Sequence, residues 1–211
     1  QVDGVILTHC HADHDAGIFQ MSLTEGVDQI KLYSTPHIFG SFLRKYTALL
    51  NTDEDVLRNR IDFQPIIVGE ALSVGDSTLK FFYSLHSIPT IGFEAFCGDK
   101  SLAFSSDTLY DPKKIEELCS EGVVSRQRAD ALLAFPWGHS LILHEAGIPP
   151  IHTPVGILTQ LSPEIKDRLV LLHIANKDVP TDKGVQPAGI GLANTIRIID
   201  APAQQRETRR R

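Results

Sequence analysis

Apolar positions fall along this chain in short runs, and their spacing alternates between strand-like and helix-like periods. Residues 1–8, QVDGVILT, bring Val2, Val5, Ile6 and Leu7 together and read as a strand buried on both faces. HCHADHDAG, residues 9–17, is polar and ends in glycine, so it predicts a loop, with a short helix over residues 18–25. Residues 29–34 predict a strand closed by Thr35-Pro36. From residue 37 to 50, Ile38, Phe39, Phe42, Leu43, Tyr46, Leu49 and Leu50 recur at spacings of three and four, which predicts an amphipathic helix packed on the outside of a sheet. A second helix is predicted over residues 52–61, with Asp53 and Glu54 near its start. The period then changes to short strands at 65–68, 71–74, 78–84, 90–97 and 101–105, with Gly75-Asp76 and Gly98-Asp99 supplying hairpin turns. Residues 112–120 predict a helix, and 131–135 and 141–144 predict strands. Residues 154–161 and 163–168 predict helices with proline in the first turn, and 169–174 a buried strand.

Strands mixed with helices at this spacing imply a layered α/β or α+β fold, its second sheet largely antiparallel. A strand buried on both faces needs neighbours, and none precedes residue 1. The chain is therefore expected to lack amino-terminal strands of its fold, as a fragment or through processing, and residues 2–8 should lie near a sheet edge. The length of 211 residues can bury a full core in one domain, and 42% apolar with 22% charged residues is ordinary globular composition. No apolar run reaches the roughly 18 residues a membrane helix needs. Three scattered cysteines, Cys10, Cys97 and Cys119, do not make a disulfide framework and fit a reducing, cytoplasmic setting. Net charge of −6 opposes a broad nucleic-acid footprint; the basic cluster at residues 206–211 ends a polar tail beginning at 199.

The chemistry lies in nine histidines. His9, His11, Asp13 and His14 place four metal-ligand side chains within six residues, directly after an apolar strand. Positions 9 and 11 can point the same way from an extended backbone, while Asp13 and His14 turn to a second point. Imidazole and carboxylate donors suit zinc, and also manganese or iron. Further along, LHSIPTIGF, SSDTLYD and VLLHIA offer His86, Asp107 and His173, each behind an apolar strand.

THCHADHDAG resembles the signature of the metallo-β-lactamase superfamily, and the later motifs follow in that family's order over residues 2–198. The resemblance implies a four-layer αββα sandwich with two divalent metal ions. One ion would be held by His9, His11 and His86, the other by Asp13, His14 and His173. Asp107 would bridge them together with a water or hydroxide, the nucleophile of a hydrolase. Leu143-His144-Glu145-Ala146, Ile151-His152-Thr153-Pro154 and Ser106-Asp107-Thr108 resemble motifs of the ribonuclease Z branch, with serine where that family has glycine. This favours a phosphodiester substrate, small or carried by nucleic acid. By the same resemblance His152 acts on the scissile phosphate, as a charge stabiliser or proton donor, and His144 and Glu145 orient a ligand imidazole or His152; Asp13 joins the catalytic group. His37 and His139 match no motif and are expected to be structural or at the surface, and Trp137 to pack in the core.

No Gly-rich basic arm occurs between residues 63 and 130, which disfavours tRNA 3′ processing. SLHSIPTIGFEAF, SSDTLYDP and LHEAGIPPIHTP are similar to a group in which this domain accompanies a cyclic-nucleotide-binding regulatory domain. A thioester or lactone hydrolase, and a non-catalytic metal-binding regulatory domain, remain as alternatives on the same site.

Overall fold

The computed structural model describes residues 2–24 and 29–197; the basic tail lies outside the described residues. The first half runs β1 (Val5–Ile6), α1 (Ala12–Ser22), β2 (Ile30–Ser34), α2 (Pro36–Leu50), α3 (Glu54–Arg58) and β3 (Ile61–Pro65). A run of strands follows, β4 (Ala71–Val74), β5 (Ser77–Tyr83), β6 (Ile91–Cys97) and β7 (Lys100–Phe104). Then come α4 (Pro112–Ser120), α5 (Arg126–Leu133), β8 (Leu141–Glu145), α6 (Val155–Leu158), α7 (Pro163–Lys166), β9 (Leu169–Leu172) and β10 (Gln186–Pro187).

These elements build two sheets. β1, β2 and β3 form a parallel sheet in that order, and β1 is its edge. The second sheet has the order β10-β9-β8-β7-β6-β5-β4. Its β4–β7 half is antiparallel and its β7–β10 half parallel. Gly75 and Gly98 make the β4–β5 and β6–β7 turns at φ of +56° and +58°, a region open to glycine. Helix starts follow the local chemistry. Thr35 caps α2 by accepting from Ile38 N, with Pro36 in the first turn. Asp111 caps α4 and Ser125 caps α5 in the same manner.

The main core joins both sheets: Leu7, Ile30 and Leu32 meet Leu79, Phe81 and Ile91, and the inward stripe Ile38, Phe39, Phe42, Leu43 and Tyr46 of α2 belongs to it. Ile142, Leu158, Leu169 and Leu171 form a second cluster and Ile115, Ala129 and Leu132 a third. Helices therefore lie with each sheet in an αββα arrangement. Among the described residues, no helix is long and apolar enough to cross a membrane.

Four expectations need correction. The loop at 9–17 is half helix: α1 starts at Ala12 because the His11 carbonyl accepts from His14 N and Asp15 N, both at 3.1 Å. The helix predicted to reach Ile61 stops at Arg58, and residues 61–65 pair with β2 instead, so β3 replaces the strand predicted at 65–68. Residues 131–133 belong to α5, not to a strand; the Ser125 cap and the helical spacing of buried Ala129 and Leu132 decide this. β1 is also shorter than predicted, and full burial in this segment begins at Leu7.

Phe42 is fully buried between α2 and the sheet. Phe42→Ala should lower unfolding free energy by about 3–5 kcal/mol, read as a fall in the denaturant midpoint.

Candidate metal centre

Strand direction gathers the ligand-type side chains. β7, β8 and β9 run parallel side by side, and β5 runs the same way through two antiparallel steps, so their carboxyl ends share one rim. Asp107 follows β7, Glu145 ends β8, His173 follows β9 and His86 lies three residues past β5. The first sheet brings His9 and His11 to the same rim on extended chain after β1, with Asp13 and His14 in the first turn of α1. The Thr8 carbonyl accepts from Ile91 N, tying this segment to the second sheet.

His9, His11, Asp13, His14, His86, Asp107 and His173 meet in one cluster. Asp107 sits at its centre: its oxygens lie 3.5 Å from His14 Nε2, 3.7 Å from His9 Nε2 and His173 Nε2, and 3.8 Å from His86 Nε2. His86 Nε2 is 3.1 Å from His11 Nδ1. Asp13 Oδ2 is 3.4 Å from His14 Nε2 and 3.9 Å from His173 Nε2, on the solvent side. Among the described residues, donor atoms within 4.8 Å of one another form three groups: His9, His11, His86 and Asp107; Asp13, His14 and His173; and Asp107, His152 and His173.

The donor set fits divalent metal. The Ile151 carbonyl accepts from His86 Nδ1, so the lone pair of His86 Nε2 faces the pocket. Thr8 Oγ1 lies 3.2 Å from His9 Nδ1, and His9 Nε2 is buried without a hydrogen-bond partner. Burial, and then the neighbouring His14 imidazole, hold His9 down at about 3, so it presents a lone pair at neutral pH. Burial pushes the Asp107 carboxyl up, but the hydrogen bond with His14 and the surrounding imidazoles outweigh it and hold Asp107 at about 2. Converging lone pairs and an ionised carboxylate are what a cation requires.

His152 stands beside this cluster. Its ring stacks on that of His173 at 4.6 Å and lies 5.4 Å from that of His86. Its Nδ1 is 3.4 Å from Glu145 Oε1. The same Oε1 accepts from Thr108 N at 2.9 Å and Thr153 N at 3.1 Å, so Glu145 joins the loop after Asp107 to the loop carrying His152. Burial raises the Glu145 carboxyl to about 8 in spite of those two hydrogen bonds.

Over residues 1–194 the chain matches the family model described as anti-Pycsar protein Apyc1. It belongs to the Apyc1 family. Over 197 residues it is 47% identical to the cGMP-dependent 3′,5′-cGMP phosphodiesterase A of Dictyostelium discoideum, covering 93% of this chain and 22% of that protein. Over 194 residues it is 36% identical to the cAMP/cGMP-dependent 3′,5′-cAMP/cGMP phosphodiesterase B of Dictyostelium discoideum, covering 92% and 17%. The chain thus spans about a fifth of the length of these curated relatives. The metallo-β-lactamase fold protein YhfI of Bacillus subtilis superposes with a TM-score of 0.55 at 16% identity, covering 89% of this chain and 75% of that one. The fold is that of the metallo-β-lactamase superfamily.

In this Apyc1-family chain several side chains that shape the site escape sequence reasoning. Thr153 Oγ1 donates to the Thr108 carbonyl and accepts from Tyr110 N, and Ser105 Oγ accepts from Glu145 N. Nothing marks these hydroxyls in the sequence beyond their nearness to Asp107 and His152. A Cβ on Gly147 would come within 2.8 Å of His152 Cβ, so glycine there leaves the imidazole its place. Ser106 and His173 both adopt φ above +50°, at +53° and +58°, each costing about 1–2 kcal/mol for an L side chain. That backbone explains why the related motif carries glycine where Ser106 stands.

His144 requires correction. It was expected to orient a ligand or His152, but alternate residues of β8 face opposite ways, so Glu145 points to the site and His144 away from it. The His144 ring stacks on Trp137 at 5.4 Å, beside Phe135 and Tyr110, and its Nδ1 donates to the Glu145 carbonyl at 2.7 Å. His139 lies elsewhere, against Glu94 at 2.7 Å, and His37 is exposed. Trp137 packs against the second core cluster.

Burial depresses His144 from 6.5 to about 4. Below pH 6.5 the unfolded chain takes up the proton first, so this contribution is complete above pH 6.5 and is lost as pH falls towards about 4. The loss reaches about 3 kcal/mol. In metal-free protein, denaturant midpoints measured from pH 7 to 5 should show a flatter decline for His144→Phe; a slope equal to wild type would contradict the buried neutral imidazole.

Proposed function

We propose that residues 1–198 are the hydrolase domain of a dinuclear, metal-dependent phosphodiesterase acting on a 3′,5′-cyclic nucleotide or a similarly small phosphodiester. The observation that carries this is the convergence of six imidazole or carboxylate side chains around Asp107, with His152 and Glu145 at one side. The names of the two Dictyostelium relatives support a cyclic-nucleotide substrate. Net charge of −6 favours a small substrate over nucleic acid.

His9, His11, His86 and Asp107 would hold one ion, and Asp13, His14, His173 and Asp107 the other. Zinc suits these donors, as do manganese and iron. When bound, the two cations supply positive charge that polarises a phosphoryl oxygen and acidifies a water molecule. The chain's own residues do the rest. Asp107 joins the two donor sets. Asp13, on the solvent side, leaves one edge of the site open to substrate. His152 presents its imidazole to the phosphate or the leaving oxygen, where it stabilises charge or delivers a proton. Glu145 anchors the loop after Asp107 and the loop that carries His152, and its Oε1 lies 3.4 Å from His152 Nδ1.

Metal content of the chain, with hydrolysis of cyclic GMP, bis-p-nitrophenyl phosphate, a thioester and a lactone, tests the proposal. Two ions per chain and turnover of the phosphodiesters are expected. Turnover of only the thioester or lactone would overturn the substrate class, and no turnover with full metal would make the domain a binding module. Asp107→Ala should lower metal occupancy and abolish turnover together. His152→Ala should keep both ions and lower kcat about 10²–10⁴-fold with a poor leaving group, less with p-nitrophenolate, which needs no proton. Loss of metal from His152→Ala would make His152 a ligand, in line with its grouping with Asp107 and His173.

A further inference from the structure

Beside the donor cluster lies an ion pair between a buried carboxylate, Asp15, and a half-buried ammonium, Lys45. Asp15, completely buried on α1, receives Lys45 Nζ at 2.7 Å on each oxygen and the Tyr46 hydroxyl at 2.5 Å on Oδ1. Lys45 and Tyr46 both belong to α2. Lys45 Nζ donates in addition to the Cys10 carbonyl at 3.0 Å. α2 grips Cys10 a second time, for Cys10 Sγ donates to the Ile38 carbonyl at 3.4 Å.

The placement of these contacts matters. Cys10 stands between His9 and His11, one peptide from each, so fixing its carbonyl and its side chain fixes the backbone that separates the two imidazoles. Asp15 follows His14 in the first two turns of α1, so tying its carboxylate to α2 sets the rotation of the helix that aims Asp13 and His14. One ammonium therefore orients ligands of both donor sets at once. Its donors are divided between a carboxylate and a carbonyl, and withdrawing it would leave the buried carboxylate with only a phenol. A contact of that kind holds one geometry and tolerates few others.

We infer that Asp15, Lys45 and Tyr46 are positioning residues for the metal centre, setting the separation of His9 from His11 and the aim of Asp13 and His14 through the Cys10 carbonyl and the rotation of α1. The inference rests on reading the cluster as a metal centre. An ion pair that merely joins two helices would lower stability when removed and leave the metal geometry alone.

The test measures zinc affinity of the metal-free 211-residue chain by competition with a chromophoric chelator, the visible absorption of its cobalt(II) form, and thermal unfolding without metal. Asp15→Asn with Lys45→Met removes both charges together, so no lone buried charge remains. This double variant should bind zinc about 10–100-fold more weakly, the range for partners that orient ligands, and shift the cobalt bands. Lys45→Arg should recover part of the affinity. Tyr46→Phe, which removes a single donor, should move affinity the same way by a smaller factor and serves if the double variant does not fold. Lowered thermal stability with unchanged zinc affinity and cobalt spectrum would overturn the inference. His9→Ala separates the two levels. If wild type and His9→Ala bind zinc alike, or not at all, the metal centre itself is wrong. If His9→Ala weakens zinc while the Asp15, Lys45 and Tyr46 variants do not, the positioning role alone fails.

Discussion

Four imidazole nitrogens stand 3.5–3.8 Å from the carboxylate of Asp107, and that crowding governs the rest of the molecule. A hydrogen bond with His14 holds part of this crowd to Asp107, but ring lone pairs that converge on one another, as at His86 Nε2 and His11 Nδ1, repel unless a proton or cation lies between them. The chain must therefore hold them in place by its fold. It does so by ending several strands at one rim and securing each loop by hydrogen bonds that lie outside the ligand atoms. The His86 loop is typical: Leu85 N donates to Thr108 Oγ1, and Leu109 N to the Leu85 carbonyl, so the loops of His86 and Asp107 hold each other.

The cost of this order is local. Ser106 and His173 adopt left-handed backbone, and His9, Glu145 and His152 each keep a buried polar atom without a partner. Such features persist where surrounding structure over-determines them and where a ligand completes them. The two aliphatic and aromatic cores on either side of the second sheet supply that rigidity.

β8 shows how one strand serves both tasks. Glu145 reaches towards His152 and the two loops, while the preceding His144 is packed among Trp137, Phe135 and Tyr110. Neighbouring residues of one motif, both ionisable, thus part company because the side chains of a strand alternate. The raised Glu145 and the depressed His144 share one cause, burial, acting on groups of opposite charge type.

The sequence by itself determined the helix stripe of α2, the hairpins at Gly75 and Gly98, the pattern of a strand followed by a donor-type side chain at His9, His86, Asp107 and His173, and the layered α/β class. Periodicity and residue chemistry are local properties, readable from neighbours a few positions apart. Only the tertiary structure decided the rest. The start of α1 depended on the His11 carbonyl finding amide donors, and β3 on the free edge of β2 being closer at hand than another helical turn. His144 was misplaced because a motif gives residue order and not the face of the strand. Lys45 carries no signal in the sequence, since its partners Asp15 and Cys10 lie 30 and 35 residues away. Contacts across that distance exist only once the two helices pack, which is why the residues that aim the cluster are harder to read than those that compose it.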